Sequence, residues 1–479
     1  MHPFGGGEQW GVHNNSVANI ERALVERVLT VKGEGGLQVT PPQPKPGLVR
    51  KRLMTFRNKL LHVTGRTTKL TTEQFVSGYV GRKRRMYELV AESLEVRPLC
   101  KQDAYISAFI KDEKTNLTRK DDPCPRIIQP RSPRFNVEIG RHLRPMEHAI
   151  FRGIGRVFRS VTVMKGLNAS ERGIELSRKW GRFADPVALM LDASRFDQHC
   201  SKDIIAWEHS VEEAVAWERS ELRELNKLRK VNYCYARAPG GGFEYTLHGT
   251  RMSGDMDTAM GNCLTMCAMM WSFVTDMGVK SFEFANDGDD GVLFVEKGDL
   301  EVLLCHFPRY FLELGFTMKL EGIAYELEHI EFCQSRPVFD GHSYRMVRDP
   351  RICVGKDSLY LGSDTSEEAI IAHRNGVGWC GAALAGDMPV FNRFYASMIS
   401  AGAPPRVYTT GMQFLSHGME PRFRDPTEET RLSFYKAFDL TPDAQIAIEA
   451  EIALADCRIL SPAILVDHYS TTTYNELNQ

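Results

Sequence analysis

The clearest periodic signal along the chain is an apolar run from Met256 to Met277, in which Met256, Met260, Cys263, Cys267 and Met270 recur at helical spacing. Gly278 stands where a left-handed residue would end such a helix, and the methionine-rich stripe is expected to pack into a core. Directly after it, Phe282-Glu283-Phe284, a tight Asp287-Gly288 turn of type I′ and Val292-Leu293-Phe294-Val295 predict a β-hairpin. Upstream, Leu189-Met190-Leu191 reads as a short buried strand ending at Asp192. Tyr105 to Ile110, the polar stretch Lys111 to Pro125, and Arg126 to Pro130 read as strand, long exposed loop and strand. A charged helical pattern runs from Ile204 to Val231 and is broken by Gly240-Gly241-Gly242, and another helix is expected over Ala444 to Leu454.

Pro41, Pro42, Pro44 and Pro46 predict a stiff extended connector over Val39 to Leu48, separating an N-terminal arm from the main body. No internal repeat or low-complexity tract is visible, which speaks against solenoids and arrays. At 479 residues the chain exceeds one core, and a prior of about one domain per 150 residues suggests roughly three lobes.

The apolar and charged fractions, 43% and 25%, are those of an ordinary globular protein. A net charge of −1 gives no overall attraction to nucleic acid. The distribution changes that picture. From Lys51 to Glu147 bases outnumber acids about two to one, and from Asp425 to Glu476 acids prevail about three to one, an asymmetry that hints at a polyanionic partner. The 11 cysteines form no C-x-x-C pair, which points to a reducing compartment and away from disulfides or zinc. Met1 to Gly7 lacks the marks of a signal peptide. The longest apolar stretch, about Cys263 to Val274, is shorter than the ~20 residues of a membrane helix, so no transmembrane segment is expected.

The chemistry gathers at the predicted hairpin tip, where Asp287, Asp289 and Asp290 crowd together, and at Asp192 and Asp197 after the earlier strand. Carboxylates at strand ends without nearby bases are costly unless a cation shares them, and oxygen-only donors favour Mg2+ or Mn2+. A calcium loop does not fit, because the D-x-[DN]-x-[DN]-G pattern with its distal Glu is absent. Taken alone, Asp287-Gly288 could equally be a plain turn, and Asn262 could simply hydrogen-bond between helices.

In order along the chain, Asp192 and Asp197 (D-x4-D), Ser253, Gly254, Thr258 and Asn262 (S-G-x3-T-x3-N), and Gly288-Asp289-Asp290 form a joint pattern that is specific where its parts are not. This set resembles motifs A, B and C of the RNA-dependent RNA polymerases of positive-strand RNA viruses, within them the tombusvirus and carmovirus group, over about Gly11 to Val338. Pro125 to Arg134 is similar to the basic motif F of that group, Phe332-Cys333-Gln334 to motif E, and Lys319 in Gly315 to Lys319 to motif D. The chain departs from the group at Asp257, where the pattern usually has Asn; lying one residue before Thr258, Asp257 should point away from the face shared by Thr258 and Asn262.

The resemblance implies an α+β right-hand polymerase: fingers, a palm of antiparallel sheet flanked by helices, and a mostly helical thumb, closed by the fingertips. The implied organisation is an N-terminal arm and connector over 1–48, fingers over 49–185, palm over 186–200 and 251–340 around a fingers insertion at 201–250, and thumb and tail over 341–479. Two Mg2+ or Mn2+ ions would be held by Asp192 and Asp289, with Asp290 auxiliary. Asp197, Ser253, Gly254, Thr258 and Asn262 would select the ribonucleotide, and Lys319 would donate a proton to departing pyrophosphate. Lys111, Lys114, Arg119 and Arg126 would face the triphosphate, Arg126 from the matching strand itself; the other three also read as solvated loop charges. Expected partners are template and nascent RNA, NTPs and a membrane-anchored viral replication protein that brings the chain to replication complexes in the host cytoplasm, with primer-independent initiation. Two readings compete: a reverse transcriptase, whose motif C normally has an aromatic residue before the paired aspartates, and a non-catalytic RNA-binding replication protein on a palm scaffold.

Overall fold

Val187, Leu189 and Leu191 face one way along the strand Pro186–Ala193, Ala188 and Met190 the other, and all are buried or nearly so. A strand covered on both faces belongs inside a layered protein, with a hydrophobic core on either side. The structure is a computed structural model that describes residues 9–119, 122–400 and 412–454.

Among the described residues the two largest sheets have four strands each. Their strands are β1 (Ile106–Ile110), β2 (Ile127–Ile128), β3 (Pro186–Ala193), β4 (Val231–Ala238), β5 (Gly241–His248), β6 (Phe282–Asp287), β7 (Asp290–Glu296) and β8 (Met318–Ala324). The first sheet runs β6-β7-β3-β8, antiparallel throughout. The second runs β2-β1-β4-β5 and is mixed, β1 lying parallel to β4. One face of the first sheet packs on helices Leu48–Val63, Pro133–Phe158, Thr258–Asp276 and Leu300–Leu312. The other face packs on Ala169–Trp180 and the C-terminal helices, through Ala188, Val292 and Phe294 against Met388 and Phe391. At about 1.5–3 kcal/mol per large apolar side chain removed from water, these two cores fix the sheet on both sides.

The helix expected over Met256 to Met277 forms as Thr258–Asp276, with Gly278 at φ +76° beyond its end. It is buried on nearly every side rather than on one stripe, so its methionines and its Cys263 and Cys267 are core residues. The strand-loop-strand reading around Lys111 is matched by the antiparallel pairing of β1 and β2. Ala444 to Leu454 falls inside the helix Pro442–Leu454; the rest of the acidic C-terminal stretch lies outside the described residues.

Three expectations are corrected. Ile204 to Val231 is not one helical run: helices Lys202–Val215 and Arg219–Leu228 are split at Ala216, where Trp217 N–H donates to the Thr67 carbonyl and Thr67 N–H to Val215. The glycines 240–242 do not end a helix but turn the hairpin β4-β5, with Gly240 at φ +88°. The N-terminal arm is not separate from the body. Its helix Val17–Leu24 and the following turn put Ile20, Ala23, Leu24 and Val28 into the core of the second sheet. The proline-rich connector is itself tied down, Lys45 pairing with Glu313 at 2.7 Å.

Candidate active site

The hairpin β6-β7 closes with Asp287 opposite Asp290, so its two loop residues are Gly288 and Asp289. Gly288 sits at φ +90° and Asp289 on the negative side, the pattern of a type II′ turn rather than the expected I′ turn centred on Asp287-Gly288. The fully buried Asn286 side chain shapes this turn. Its Nδ2 donates to the Gly288 and Asp290 carbonyls, both at 2.9 Å, while its Oδ1 accepts from Gly288 N–H at 3.3 Å.

Asp290 lies directly across from Asp192 on β3, and Lys319 on β8 lies across from Asp192 on its other side. Opposite residues of an antiparallel pair share a face, so the three side chains form a row across three strands, with Asp289 at the turn above. The electrostatics agree with this placement. Burial, then the charges of Asp289 and Asp192, push Asp290 up to about 7. Burial and Asp289 also raise Asp192, opposed by Lys319.

Asp287 behaves differently. Its carboxylate pairs with Lys165 and, at 2.6 Å, with Arg172; these cations outweigh burial and hold it below the usual range. The expectation that the tip carboxylates lack nearby bases therefore holds for neither Asp287 nor, given Lys319, Asp192, whereas Asp289 and Asp290 have no ion pair among the described residues. Lys165 comes from a segment that adds itself to the edge of β6, Met164 N–H donating to Asn286 O at 2.8 Å.

Asp197 follows Arg195, which takes left-handed backbone at φ +50° to start the short helix Phe196–His199. The Asp197 carboxylate accepts from Asn262 Nδ2 at 2.9 Å, 65 residues away in sequence. Burial raises Asp197 against that hydrogen bond and the nearby Arg251. Asn262 Oδ1 is buried and has no protein partner. Gly254, at φ +98°, lets the loop before the helix lie on β2, where a Cβ would come within 3.0 Å of Ile128, and Gln129 N–H donates to Ser253 O at 2.6 Å. The Thr258 hydroxyl donates to Met252 O at 3.1 Å and so also braces this loop.

A cavity of about 680 Å3 is lined by Asp197, Ser253, Gly254, Thr258, Asn262 and Asp289 together with the cations Arg27, Arg126, Lys165 and Arg195. Arg126 lines the same cavity as Asp289 and pairs with Glu113 at 3.4 Å. Lys111, Lys114 and Arg119 line a neighbouring cavity of about 440 Å3 instead. Lys111 pairs with Glu113 at 2.8 Å. Lys114 is engaged elsewhere: its ammonium donates to the carbonyls of Lys356 at 3.1 Å and Leu359 at 2.5 Å, tying this loop to the C-terminal lobe, and burial pulls it down to about 8. Lys319 is exposed beside Asp192 and does not line the central cavity.

The arrangement brings an oxygen-only donor set from two distant stretches to one end of a sheet, where Asp289, but not Asp192 or Asp290, lines the cavity that Arg27, Arg126, Lys165 and Arg195 also line. The carboxylates fit a hard divalent cation by their chemistry rather than as a ready-made cage: among the described residues no three His, Cys, Asp or Glu side chains are gathered closely enough to form one.

The model of the family described as Viral RNA dependent RNA polymerase matches residues 1–459 of the chain. The chain belongs to this family. It is 40% identical over 447 residues to the RNA-directed RNA polymerase of Maize chlorotic mottle virus, covering 92% of this chain and 46% of that one. To those of Tobacco necrosis virus (strain A) and Melon necrotic spot virus it is 40% identical over 445 and 451 residues, with 92% of this chain and 61% and 57% of theirs covered. The chain therefore spans about half to three-fifths of the length of these relatives. Membership of the viral polymerase family and the tombusvirus-like character implied by the motifs agree.

Behind the motifs of this family member lies a buried ion network that the sequence reading missed. Asp257 accepts from Arg229 at 2.5 Å and Arg251 at 3.0 Å, Arg229 also holds Glu212 at 2.8 Å, and Arg251 pairs with Glu208. Asp257 does point away from Thr258 and Asn262, as its position required, and the departure from Asn places a charge where two guanidiniums converge. Three carboxylates face two arginines there; burial, only partly offset by Arg229, leaves Glu212 up at about 7. Gly261 is what admits Arg251, since a Cβ there would lie 2.3 Å from its Nη2. Partners up to 43 residues apart in sequence left no local signal.

Proposed function

We propose that the chain is the polymerising part of a positive-strand RNA virus replicase and joins ribonucleotides on an RNA template. The observation that carries the reading is the convergence of Asp192, Asp289 and Asp290 at one sheet end, beside a cavity that Asp289 and Arg126 both line. In this reading the sheet β6-β7-β3-β8 is the palm, the sheet β2-β1-β4-β5 with the N-terminal arm belongs to the fingers, and the C-terminal helices are the thumb. The contact of Lys114 with Lys356 and Leu359 supports a closed hand. The boundaries read from the sequence stand as proposals, with the arm of 1–48 joined to the fingers.

Asp192 and Asp289 would hold two Mg2+ or Mn2+ ions, with Asp290 as an auxiliary ligand. When bound, such ions neutralise charge on the triphosphate and activate the 3′-oxygen. The chain's own residues do the positioning. Arg126 presents a guanidinium to the triphosphate. Asn262, with Nδ2 given to Asp197 and Oδ1 unpaired, is poised to accept a hydrogen bond from a ribose hydroxyl; a deoxyribose would leave that buried oxygen unsatisfied. Ser253, Gly254 and Thr258 hold the loop that frames the sugar. Lys319, beside Asp192, would donate a proton to departing pyrophosphate.

The partners proposed are template RNA, nascent RNA and NTPs, with primer-independent initiation. Among the described residues no helix is long and apolar enough to cross a membrane. Placement at membrane replication complexes in the host cytoplasm, through an anchored viral replication protein, is proposed from the resemblance to the tombusvirus group. The test of function is to supply a short RNA, Mg2+ or Mn2+, and either four rNTPs or four dNTPs. Complementary RNA from the rNTPs alone is expected; DNA made as efficiently would point to a reverse transcriptase, and no product with either to a non-catalytic scaffold.

A further inference from the structure

Arg27 is carried by the N-terminal arm, far in sequence from every motif, yet it lines both the central cavity and the neighbouring cavity of about 440 Å3, a position that among the described residues it shares only with Arg126. It sits on Val25–Leu29, a π-helical turn that continues the helix Val17–Leu24. Such turns are rare and recur at functional sites. The turn is fixed to the flanks of Asp197: Gln198 Nε2 donates to Thr30 O at 2.7 Å and Arg195 to Glu26 O. Arg27 is therefore held in register with the residues that frame the nucleotide cavity.

The Arg27 guanidinium gives Nε and Nη2 to the Cys124 carbonyl, at 3.3 and 3.2 Å. Its neighbour Glu26 is taken by Arg22 at 2.8 Å, and Arg27 makes no ion pair with a carboxylate among the described residues. Arg195, also without an ion pair among them, is close enough to feel its charge. Two half-buried arginines without an ion pair among the described residues, with Arg126, paired to Glu113 at 3.4 Å, lining the same cavity, repel one another unless an anion enters between them. A polyphosphate is such an anion, and guanidinium groups match its oxygens in geometry and charge.

The geometry points to Arg27 as a binding residue for the triphosphate of the incoming nucleotide, handing it with Arg126 from the outer cavity to the aspartates. This rests on the polymerase reading above and adds the arm as a wall of the substrate site.

The test uses the full chain. R27Q is expected to raise KM for rNTPs about tenfold, the loss of one charge-assisted contact, to leave kcat within about threefold, and to weaken binding of inorganic tripolyphosphate in calorimetry, with melting temperature and affinity for a short RNA unchanged. R27K should recover part of the loss. An unchanged KM and unchanged tripolyphosphate binding would overturn the assignment. Should R27Q fail to fold, R27K decides: weaker tripolyphosphate binding at the wild-type melting temperature supports the role, and undiminished binding overturns it. Synthesis retained by Asp289→Ala would instead overturn the polymerase reading, whatever Arg27 does, so the two failures are distinguishable.

Discussion

Asp290 stands directly opposite Asp192 in the antiparallel pairing of β7 and β3, two carboxylates from stretches almost 100 residues apart placed on one face of a sheet. Burial and then the Asp289 charge raise both above the ordinary carboxylate range, and Asp192 adds to the rise of Asp290. The protein accepts that repulsion at one sheet end, and its removal has a measurable consequence. Asp192→Asn is expected to raise the melting temperature by a few degrees in the presence of a chelator, because stability is recovered where function had strained it. It should also abolish the stabilisation that Mn2+ gives the wild type. Differential scanning calorimetry with and without the ion checks both; a lower melting temperature in chelator would contradict repulsion among these carboxylates.

Asn262 should set sugar selectivity. Asn262→Ala removes both the donor to Asp197 and the unpaired Oδ1, and is expected to lower the ratio of kcat/KM for an rNTP to that for its dNTP at least about tenfold. Single-nucleotide addition on one template with both substrates measures it. A fall in both values with their ratio intact would make Asn262 a structural residue only.

The network around Asp257 makes opposite demands on two substitutions. Asp257→Ala removes the acceptor that two buried guanidiniums share, leaving their N–H groups unpaired, and should cost about 3–5 kcal/mol in urea unfolding. Asp257→Asn keeps an acceptor oxygen, and the excess of carboxylates over arginines in the network softens the loss of charge, so a much smaller penalty is expected. Equal penalties would show that the charge, rather than the hydrogen bonding, is what the site requires.

Acid should weaken the C-terminal lobe through His373. Burial, then the nearby Lys114, lower this imidazole to about 4, whereas an unfolded histidine titrates near 6.5. The unfolded chain binds the proton first, so His373 contributes no penalty above about pH 6.5 and an increasing one as pH falls toward 4, on the order of 2–3 kcal/mol when complete. His373→Gln should flatten that part of the stability curve. An unchanged slope between pH 6.5 and 4 would remove His373 as its cause.

Asp192, Asp289, Asp290 and Asn262 are legible in the sequence through their joint order, since a strand that ends in an acid, a helix with two polar residues four apart and a glycine turn are each unspecific alone. The buried helix of Thr258–Asp276 is legible on its own, since its apolar run is continuous. The hairpin β4-β5 was missed although Tyr233, Tyr235 and Tyr245 lie in alternating stretches, because the charged helical pattern before it was carried too far. Lys114 was placed at the triphosphate on its position in a basic loop, and its true acceptors, the carbonyls of Lys356 and Leu359, lie more than 240 residues away. Arg27 escaped notice for a related reason: the prolines after it suggested a detached arm, and only the shared core of Ile20 and Leu24 with the second sheet shows otherwise.

The most direct measurement is single-nucleotide addition to a short RNA on a template by the wild type and by Asp289→Ala, each titrated with Mg2+ and Mn2+. Saturable, ion-dependent addition by the wild type is expected, with a loss of at least about a thousandfold in the variant at equal stability and equal affinity for RNA. Addition by Asp289→Ala at a rate near that of the wild type, or by the wild type in excess chelator, would contradict it.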